Sequence, residues 1–322
     1  MIVLGIDGGG TSTRALLADH TGTVLGTGRS QGSNPNNLPR EKCRSHLAQA
    51  FTGACAAAGH QGAVDQVFMG AAGIKDETDA RAMQELVAES LNLPLERIRV
   101  ANDLLNSLAG GLAGRPGIAL IAGTGSHCLG RNAAGRTSTC GGWGWLMCDV
   151  GSGHFLGQRA LQVVVRAADG RGPETSLSAA VLGELGIEAP SALLRRVYDP
   201  SVGPAGIAAL ARLVLDAARS GDAVARGILQ EGADGLAALV QQVGQRLFPG
   251  APPEVVLTGG VALSGVPYQP MINQSIADRL PGARISPPEL PPEAGAVLNA
   301  LDLAGIAPEA AVLQKLKTTL SL

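Results

Sequence analysis

One plan of predicted elements occurs twice in this chain, and it restricts the folds that the chain can adopt. In the first copy, the apolar run at residues 2–6 leads into a glycine-rich turn at 7–11, and two strands joined by a hairpin turn follow. In the second copy, the apolar run at 118–122 leads into a glycine-rich turn at 123–126, again before a hairpin. The repeated order predicts two related halves, against the alternative that two hairpins resemble each other by chance.

Predicted strands and helices alternate between the two copies. Helices are indicated at 40–60 and 80–91, and strands at 64–70 and 98–103. Alternation of this kind indicates parallel strands with helices on the faces of the sheet. The later part of the chain reads as mostly helical, apart from a strand at 254–258. The fold class predicted from these patterns is α/β.

Composition excludes several functional classes. The net charge of −2 argues against electrostatic binding of nucleic acid or of a membrane surface. The start of the sequence lacks a basic leader, and no run of roughly 18 apolar residues occurs, so neither a signal peptide nor a membrane span is expected. The cysteines form no CxxC pair, which argues against zinc and iron–sulfur sites. A cytoplasmic enzyme without a nucleic-acid or membrane partner is the expectation, and the length of 322 residues favours two domains.

Both glycine-rich turns are candidate phosphate sites. Glycines after a strand leave backbone N–H groups accessible to an anion, and such concavities bind phosphate. Asp7, at the end of the first strand, is well placed to hold a hydrated divalent cation. Either turn alone could be an ordinary tight turn. Together they predict a nucleotide phosphate chain that is held from two sides.

Lysine is nearly absent from the candidate sites. No GxxxxGK[ST] sequence occurs, which excludes a Walker A loop, and neither glycine turn contains a lysine. The phosphate charge must therefore be met by backbone N–H groups and Mg²⁺, as phosphoryl transfer by positioning and electrostatics requires.

Asp103 is the candidate general base. It follows the predicted strand at 98–102, and ligand groups in open α/β sheets gather at the carboxyl ends of strands. The alternative is a helix N-cap, because an apolar helical run begins at Leu104.

Two further glycine-containing segments are candidate ligand sites. Residues 140–153 contain both tryptophans together with Asp149, a combination that suits a sugar, although tryptophans packed as core are the alternative. Gly259 and Gly260 follow the strand at 254–258 and could press against adenine or ribose, with a plain strand-to-helix turn as an equal alternative.

Taken together, these motifs resemble those of the sugar kinase, Hsp70 and actin superfamily. Within it, the chain is similar to the N-acetylglucosamine kinase family, which is grouped with the BadF/BadG/BcrA/BcrD ATPases. Residues 7–11 and 123–126 resemble the family's two phosphate motifs, and residues 259–261 resemble its adenosine motif. The most specific likeness lies at 141–144 and 149–152, which resemble the family's GGWG…GDEGS block.

The resemblance implies two duplicated actin-like ATPase domains, of the ribonuclease H-like type, around a central cleft. The N-terminal domain is expected at 1–110 and the C-terminal domain at 111–306, with a C-terminal helix at about 307–322 packing back on the first. Because members of the family are usually dimers, the resemblance also implies a homodimer.

The resemblance also assigns roles to individual residues. ATP would be bound by the two glycine turns and the adenosine motif, namely Gly9, Gly10, Thr11, Gly123, Thr124, Gly125, Gly259 and Gly260. Asp7 would lie beside Mg²⁺, and Asp103 would take the proton from the 6-hydroxyl of the sugar. The sugar itself would be bound by Asn34, Asp103, Gly142, Trp143 and Asp149.

Two residues depart from the family's pattern. Cys148 stands where the family has Gly, and Val150 stands where it has Glu, so Asp149 is the only acid of this block. These departures leave the identity of the sugar open. The expected function is ATP-dependent phosphorylation of an amino sugar, N-acetylglucosamine first, with glucosamine and N-acetylmuramic acid as alternatives. An ATPase that drives a conformational change in a partner protein is the alternative of another class.

Overall fold

Residues 1–36, 38–61 and 63–320 are described by a computed structural model, in which the chain divides into two units. The first unit combines Met1–Arg115 with the segment that begins at Pro287, and the second is Pro116–Ser286. Ten strands are assigned within the described residues: β1 (Ile2–Gly8), β2 (Ser12–Asp19), β3 (Val24–Gln31), β4 (Gln66–Ala71), β5 (Ile98–Asn102), β6 (Gly117–Ala122), β7 (Ser126–Arg131), β8 (Thr137–Gly141), β9 (Glu254–Thr258) and β10 (Arg284–Ser286).

The helices of the first unit come from both ends of the chain, and those of the second come from the middle. Twelve α-helices are assigned in the same residues: α1 (Arg40–Ala58), α2 (Glu77–Leu91), α3 (Leu104–Gly111), α4 (Gly153–Ala168), α5 (Leu177–Leu185), α6 (Leu193–Val197), α7 (Gly203–Ala209), α8 (Ala211–Arg219), α9 (Ala223–Leu247), α10 (Tyr268–Arg279), α11 (Pro292–Leu303) and α12 (Ala310–Thr319). Short 3₁₀ turns lie at Leu95–Arg97 and Pro190–Ala192. No single helix in these residues has the length and apolar composition of a membrane span, although the bent pair α5 and Pro190–Val197 meets both criteria together.

The two sheets have the same strand order. The first reads β3-β2-β1-β4-β5, and the second, read in the corresponding direction, is β8-β7-β6-β9-β10. In each sheet the first three strands in sequence pair antiparallel. The fourth strand pairs parallel with the first, and the fifth pairs parallel with the fourth. The α/β class and the duplicated plan predicted from the sequence are therefore confirmed.

Corresponding hairpins are closed by the same kind of side chain. In the β2–β3 turn, Asp19 Oδ1 accepts hydrogen bonds from the backbone N–H groups of Thr21 and Thr23, at 2.8 and 3.0 Å. In the β7–β8 turn, Asn132 Oδ1 accepts from the N–H groups of Ala134 and Arg136, at 3.1 and 3.0 Å. A short acceptor that bonds to the backbone two residues ahead stabilises a tight turn, which explains why both turns lie where the sequence predicts them.

The first sheet is covered on both faces. Because successive side chains of a strand point to opposite faces, Leu4 and Ile6 pack with buried residues of α1 and α2, whereas Val3 packs with residues of α11. Gly5 allows α11 to approach the strand closely, since a Cβ there would lie 2.4 Å from the backbone nitrogen of Val297.

The units do not coincide with the domain ranges predicted from the sequence. Residues 111–306 were predicted as one domain, but α11 lies in the first unit because it packs on β1. The boundaries of the units therefore fall after Arg115 and before Pro287. In α12, Leu316 is buried in the same cluster as Val3. Residues 321 and 322, the end of the helix predicted at about 307–322, lie outside the described residues.

Helix α9 is central to the core of the second unit. Its buried face includes Leu236, Val240 and Val243, which lie in one cluster with residues of β6 and β7. Gly130 on β7 accommodates this helix, because a Cβ at that position would lie 2.7 Å from Val243 Cγ1. This packing fixes α9 against β6 and β7, the two strands that the second glycine turn connects.

Candidate active site

In the first unit, three parallel strands end at the same level. Gly8 of β1 is in register with Ala71 of β4, and Ala71 is in register with Asn102 of β5. The loops beyond the strands are joined by two hydrogen bonds, from the Ala72 N–H to Gly8 O at 2.8 Å and from the Asp103 N–H to Ala71 O at 3.3 Å. The predicted residues Asp7 and Asp103 are therefore brought to one edge of one sheet.

The first glycine turn is supported from behind by the loop that follows β3. The Gly9 N–H donates to Ser12 O at 2.9 Å and closes the turn, while Gly10 and Thr11 remain exposed. Gly32 packs directly against the turn, since a Cβ at Gly32 would lie 2.2 Å from Gly10 O. The exposed backbone of Gly10 and Thr11 is thus held in place and accessible to an anion, which is the arrangement that phosphate binding needs.

The groups around Asp7 shift its pKa in opposite directions. Its Oδ1 accepts a hydrogen bond from Asn106 Nδ2 at 3.1 Å, and Arg14 is its partner across the β1–β2 ladder. Burial raises the pKa of Asp7 to about 6, and the charges of Asp103 and Glu293 add to the rise, whereas the Asn106 hydrogen bond and Arg14 oppose it. The only sequence signal for Asn106 is an amide within the mostly apolar start of α3.

The surroundings of Asp7 fit a magnesium ion that is bound mainly through phosphate. Mg²⁺ in nucleotide sites is held by one or two carboxylates, phosphate oxygens and water. Asp7 offers one carboxylate beside the glycine turn, and a divalent cation there would offset the repulsion from Asp103 and Glu293. In the described ranges no group of three or more His, Cys, Asp or Glu side chains could hold a metal by itself.

Asp103 stands at the N-cap position of α3 but does not cap it through its side chain. Its side chain makes no cap hydrogen bond among the described residues, and Asn102 Oδ1 instead accepts from the Leu104 N–H at 3.0 Å. Burial raises the pKa of Asp103, opposed by the backbone N–H groups at the start of the helix. A partly buried carboxyl with a raised pKa is suited to accept a proton from a substrate hydroxyl.

Asn34 lies beside the loop that follows β4. Its Oδ1 accepts from the Asn36 N–H at 2.9 Å, and Asn36 Nδ2 donates to Gly73 O at 3.3 Å. Gly73 has a φ of +88°, and a Cβ there would lie 2.9 Å from Asn34 Oδ1. Gly73 and Asn36, which no sequence motif indicated, hold the predicted sugar-binding amide against its neighbouring loop.

In the second unit, the glycine turn is bonded to the N-terminus of α4. Gly123 N–H donates to Gly125 O at 2.9 Å, and the N–H groups of Gly153 and His154 donate to Gly123 O and Thr124 O, at 2.7 and 3.1 Å. The turn that contains Thr124 is therefore anchored to the start of the 16-residue helix α4.

The adenosine-like motif reaches the same turn. Gly259 has a φ of +88°, and a Cβ there would lie 2.4 Å from Ala122 O. The N–H groups of Val261 and Ala262 both donate to Ala122 O at 3.0 Å, so the loop that contains Gly260 is tied to the residue that precedes Gly123. Thus the structure brings together the predicted residues of the second phosphate motif and the adenosine motif.

Asp149 also lies against the second glycine turn. A Cβ at Gly125 would lie 2.7 Å from Asp149 Oδ2. Burial raises the pKa of Asp149, opposed by the N–H groups of Ser126 and Gly144. A residue predicted for the sugar is therefore next to a residue predicted for ATP, so the two candidate sites of this unit are continuous.

The tryptophans that precede Asp149 are exposed, which removes the alternative that they are core residues. Trp143 and Trp145 are 61% and 48% exposed, and the Trp145 ring lies 5.1 Å from that of the buried His154. Gly142, with a φ of +74°, packs on His127, because a Cβ there would lie 2.8 Å from His127 Cγ. The indole of Trp143 is thus available to a ligand.

The two departures from the family's block have different surroundings. Cys148 is exposed. Val150 is partly buried against α9, where a Cβ at Gly235 would lie 2.2 Å from Val150 Cγ2. The side chain at position 150 therefore contacts the core of the second unit.

Comparison with known proteins gives one consistent result. The sequence profile of the BadF/BadG/BcrA/BcrD ATPase family matches residues 4–300. An N-acetylmuramic acid/N-acetylglucosamine kinase of Clostridium acetobutylicum is 33% identical over 267 residues, which cover 83% of this chain and 87% of that protein. An N-acetyl-D-glucosamine kinase of Dictyostelium discoideum is 29% identical over 323 residues, which cover 94% and 98% of the two chains.

A solved structure has the same fold. It comes from Chromobacterium violaceum and is named as a candidate N-acetylglucosamine kinase. The two structures superpose with a TM-score of 0.71 at 29% identity, over 92% of this chain and 98% of that one. The likeness extends over both units rather than a single motif.

Proposed function

The chain belongs to the BadF/BadG/BcrA/BcrD ATPase family, and on this basis we propose that it transfers the γ-phosphoryl group of ATP to the 6-hydroxyl of an amino sugar. N-acetylglucosamine is the first candidate, since the relatives from Clostridium acetobutylicum and Dictyostelium discoideum are both named for it. The alternatives within the class are N-acetylmuramic acid and glucosamine. We also propose that the enzyme is cytoplasmic and forms a homodimer.

The observation that carries the proposal is the position of Asp103. Its carboxyl makes no cap hydrogen bond, lies at the sheet edge beside the first glycine turn, and has a pKa raised by burial. In the proposed reaction, Asp103 accepts the proton of the sugar hydroxyl as that oxygen attacks the γ-phosphorus. The new O–P bond forms as the bond to the β–γ bridging oxygen breaks, and ADP leaves with that electron pair.

Other residues would bind and orient the two substrates. The exposed backbone of Gly10 and Thr11 would bind phosphate oxygens, and so would Thr124, whose turn is anchored to the start of α4. Asn34, Trp143 and Asp149 would bind the sugar, and the Gly259 loop would receive the adenosine. Asp7 would hold Mg²⁺, which supplies positive charge to the phosphate oxygens when it is bound.

An ADP-release assay over a panel of sugars tests the proposal. N-acetylglucosamine, N-acetylmuramic acid, glucosamine and glucose would each be supplied with ATP and Mg²⁺, and the product examined by NMR for phosphate on C6. We expect ADP release that depends on an amino sugar and is lost in Asp103→Asn. A rate of ADP release that is the same with every sugar, but that rises with an added protein, would instead support an ATPase that drives a conformational change in a partner protein.

A further inference from the structure

Asn106 is a buried amide that the proposed reaction does not use. It lies on α3, is fully buried, and its Nδ2 donates to Ile6 O at 3.0 Å and to Asp7 Oδ1 at 3.1 Å. Its own Oδ1 is buried with no hydrogen-bond partner among the described residues. An unpaired buried acceptor lowers stability, so packing alone would favour an aliphatic side chain here.

Glycines on two neighbouring elements lie against Asn106. A Cβ at Gly70 of β4 would lie 2.3 Å from Asn106 Nδ2. A Cβ at Gly295 of α11 would lie 2.0 Å from the Asn106 backbone oxygen. The absence of side chains at both positions lets α3 approach the sheet closely enough for the amide to reach β1.

The charges around Asp7 explain what the amide can do. The ionisable groups that act on Asp7 are Asp103, Glu293 and Arg14, and Arg14 itself pairs with Glu293 at 3.4 Å. Neither nearby acid can donate a hydrogen bond when ionised, so Asn106 provides a neutral donor. A fixed donor on Oδ1 restricts rotation of the carboxylate and favours its charged form.

We propose that Asn106 is a positioning residue that orients the Asp7 carboxylate for a divalent cation carried by the nucleotide. This inference rests on the proposed function, in which Asp7 is the protein's contact to Mg²⁺. Removing a residue that orients a metal ligand by a hydrogen bond changes metal affinity by roughly 10–100-fold. Asn106 would act through Asp7 and would not touch the sugar.

The test replaces the amide with an aliphatic side chain of similar volume. Mn²⁺ would serve as the probe, with its affinity in the presence of ADP measured by electron paramagnetic resonance. We expect Asn106→Leu to weaken Mn²⁺ binding about tenfold or more, to raise the Mg²⁺ concentration at half-maximal activity by a similar factor, and to leave the KM for sugar within about twofold. Unchanged Mn²⁺ affinity in the folded variant would overturn the proposal.

Asn299 supplies a matched control. It is also a buried asparagine, and its Nδ2 donates to Leu105 O of the same helix at 3.2 Å, away from Asp7. We expect Asn299→Leu to leave Mn²⁺ affinity unchanged. An equal loss of Mn²⁺ affinity in both variants would mean that general loosening of α3 is responsible, and the proposal would fail.

A double-mutant cycle separates the positioning role from other effects. In an Asp7→Asn background, Asn106→Leu should cause no further loss of Mn²⁺ affinity, because the group through which it acts has gone. If Asn106→Leu does not fold, Asn106→Ser takes its place in every arm with the same expected direction. Because Mn²⁺ and ADP binding needs no sugar, weakened binding in a protein that phosphorylates no sugar would support the inference and reject only the proposed function.

Discussion

The backbone N–H of Ser33 donates to the carbonyl oxygen of Gly9 at 3.1 Å, so the loop that carries Asn34 is anchored to the first glycine turn. Gly32, one residue earlier, packs on the carbonyl of Gly10. The loop proposed for the sugar and the turn proposed for phosphate therefore have one shared support. Any change that separates them should affect both substrates together.

Gly32→Ala is the direct test of this shared support. The added Cβ would lie 2.2 Å from Gly10 O, so either the turn or the loop must move. We expect the KM values for ATP and for sugar to rise together and the unfolding free energy to fall by about 1–3 kcal/mol, as measured by steady-state kinetics and chemical denaturation. Gly227→Ala is the control, since nothing lies within 4 Å of its Cβ position and α9 should be stabilised. A rise in only one of the two KM values would contradict the shared support.

Asp103→Asn should reduce kcat by about 10²- to 10⁴-fold while ATP affinity stays nearly the same, because the substitution removes the proton acceptor and keeps the shape. Single-turnover kinetics and nucleotide titration measure the two quantities. Asp76→Asn is the comparison, since Asp76 is an acid that does cap its helix, with Oδ1 accepting from the Asp79 N–H at 2.9 Å. If Asp103 were only a cap, both variants would keep their turnover.

Asp7→Asn should stabilise the ligand-free protein at neutral pH while it abolishes turnover. The pKa of Asp7 is raised from 3.8 to about 6 in the folded state, so ionising it in that state is unfavourable. The stabilisation should be greatest above about pH 6, up to about 3 kcal/mol by linkage, and should vanish below about pH 4, where the wild-type carboxyl is protonated in both states. Denaturation curves across this range measure it. A stabilisation that grows as the pH falls would have the wrong sign.

Gly73→Ala should raise the KM for sugar and leave that for ATP unchanged. Its φ of +88° disfavours any other residue, and the new Cβ would lie 2.4 Å from Asn36 Nδ2, which would displace the asparagine loop. Gly59→Ala separates strain from collision, because Gly59 has a φ of +60° with nothing within 4 Å. We expect that control to lose about 1 kcal/mol of stability with no kinetic change. Equal kinetics in the two variants would show that the asparagine loop does not bind the sugar.

Val150→Glu restores the acid of the family's block, but the structure predicts a loss of stability. The side chain at 150 contacts α9 at Gly235, so a carboxylate there would be partly desolvated without a partner. We expect the unfolding free energy to fall by roughly 2 kcal/mol, with the order of sugar preference unchanged. Val150→Ala, which removes apolar contact without adding charge, should lose less. A gain in turnover with one particular sugar would show that the acid reaches the substrate.

Local signals in the sequence predicted the parts of the site that depend on local conformation. Asp19 and Asn132 close their hairpins through hydrogen bonds to residues only two and four positions away, so the two turns could be predicted from the sequence. The extent of β3, from Val24 to Gln31, is set by less local contacts. Gly26 and Gly28 lie within that strand because α1 packs on their Cα atoms. A sequence pattern does not reveal this contact.

Long-range packing was the part that sequence patterns did not predict. The contact of Asn106 with Asp7 joins residues 99 positions apart, and the pair of Arg14 and Glu293 spans 279. Each depends on how closely α3 and α11 approach the sheet, which glycines at 70 and 295 decide. Such approach distances are set by tertiary structure, so Asn106 could be found only from coordinates.

Because α11 and α12 complete the first unit, that unit cannot be completed before the second unit has been synthesised. The ribosome produces all five strands of the first sheet long before Val297 and Leu316, which bury the face that includes Val3. The second unit, made from one continuous stretch, has all its own helices earlier. Until α11 and α12 have been synthesised, a first sheet that has already formed would expose this apolar face.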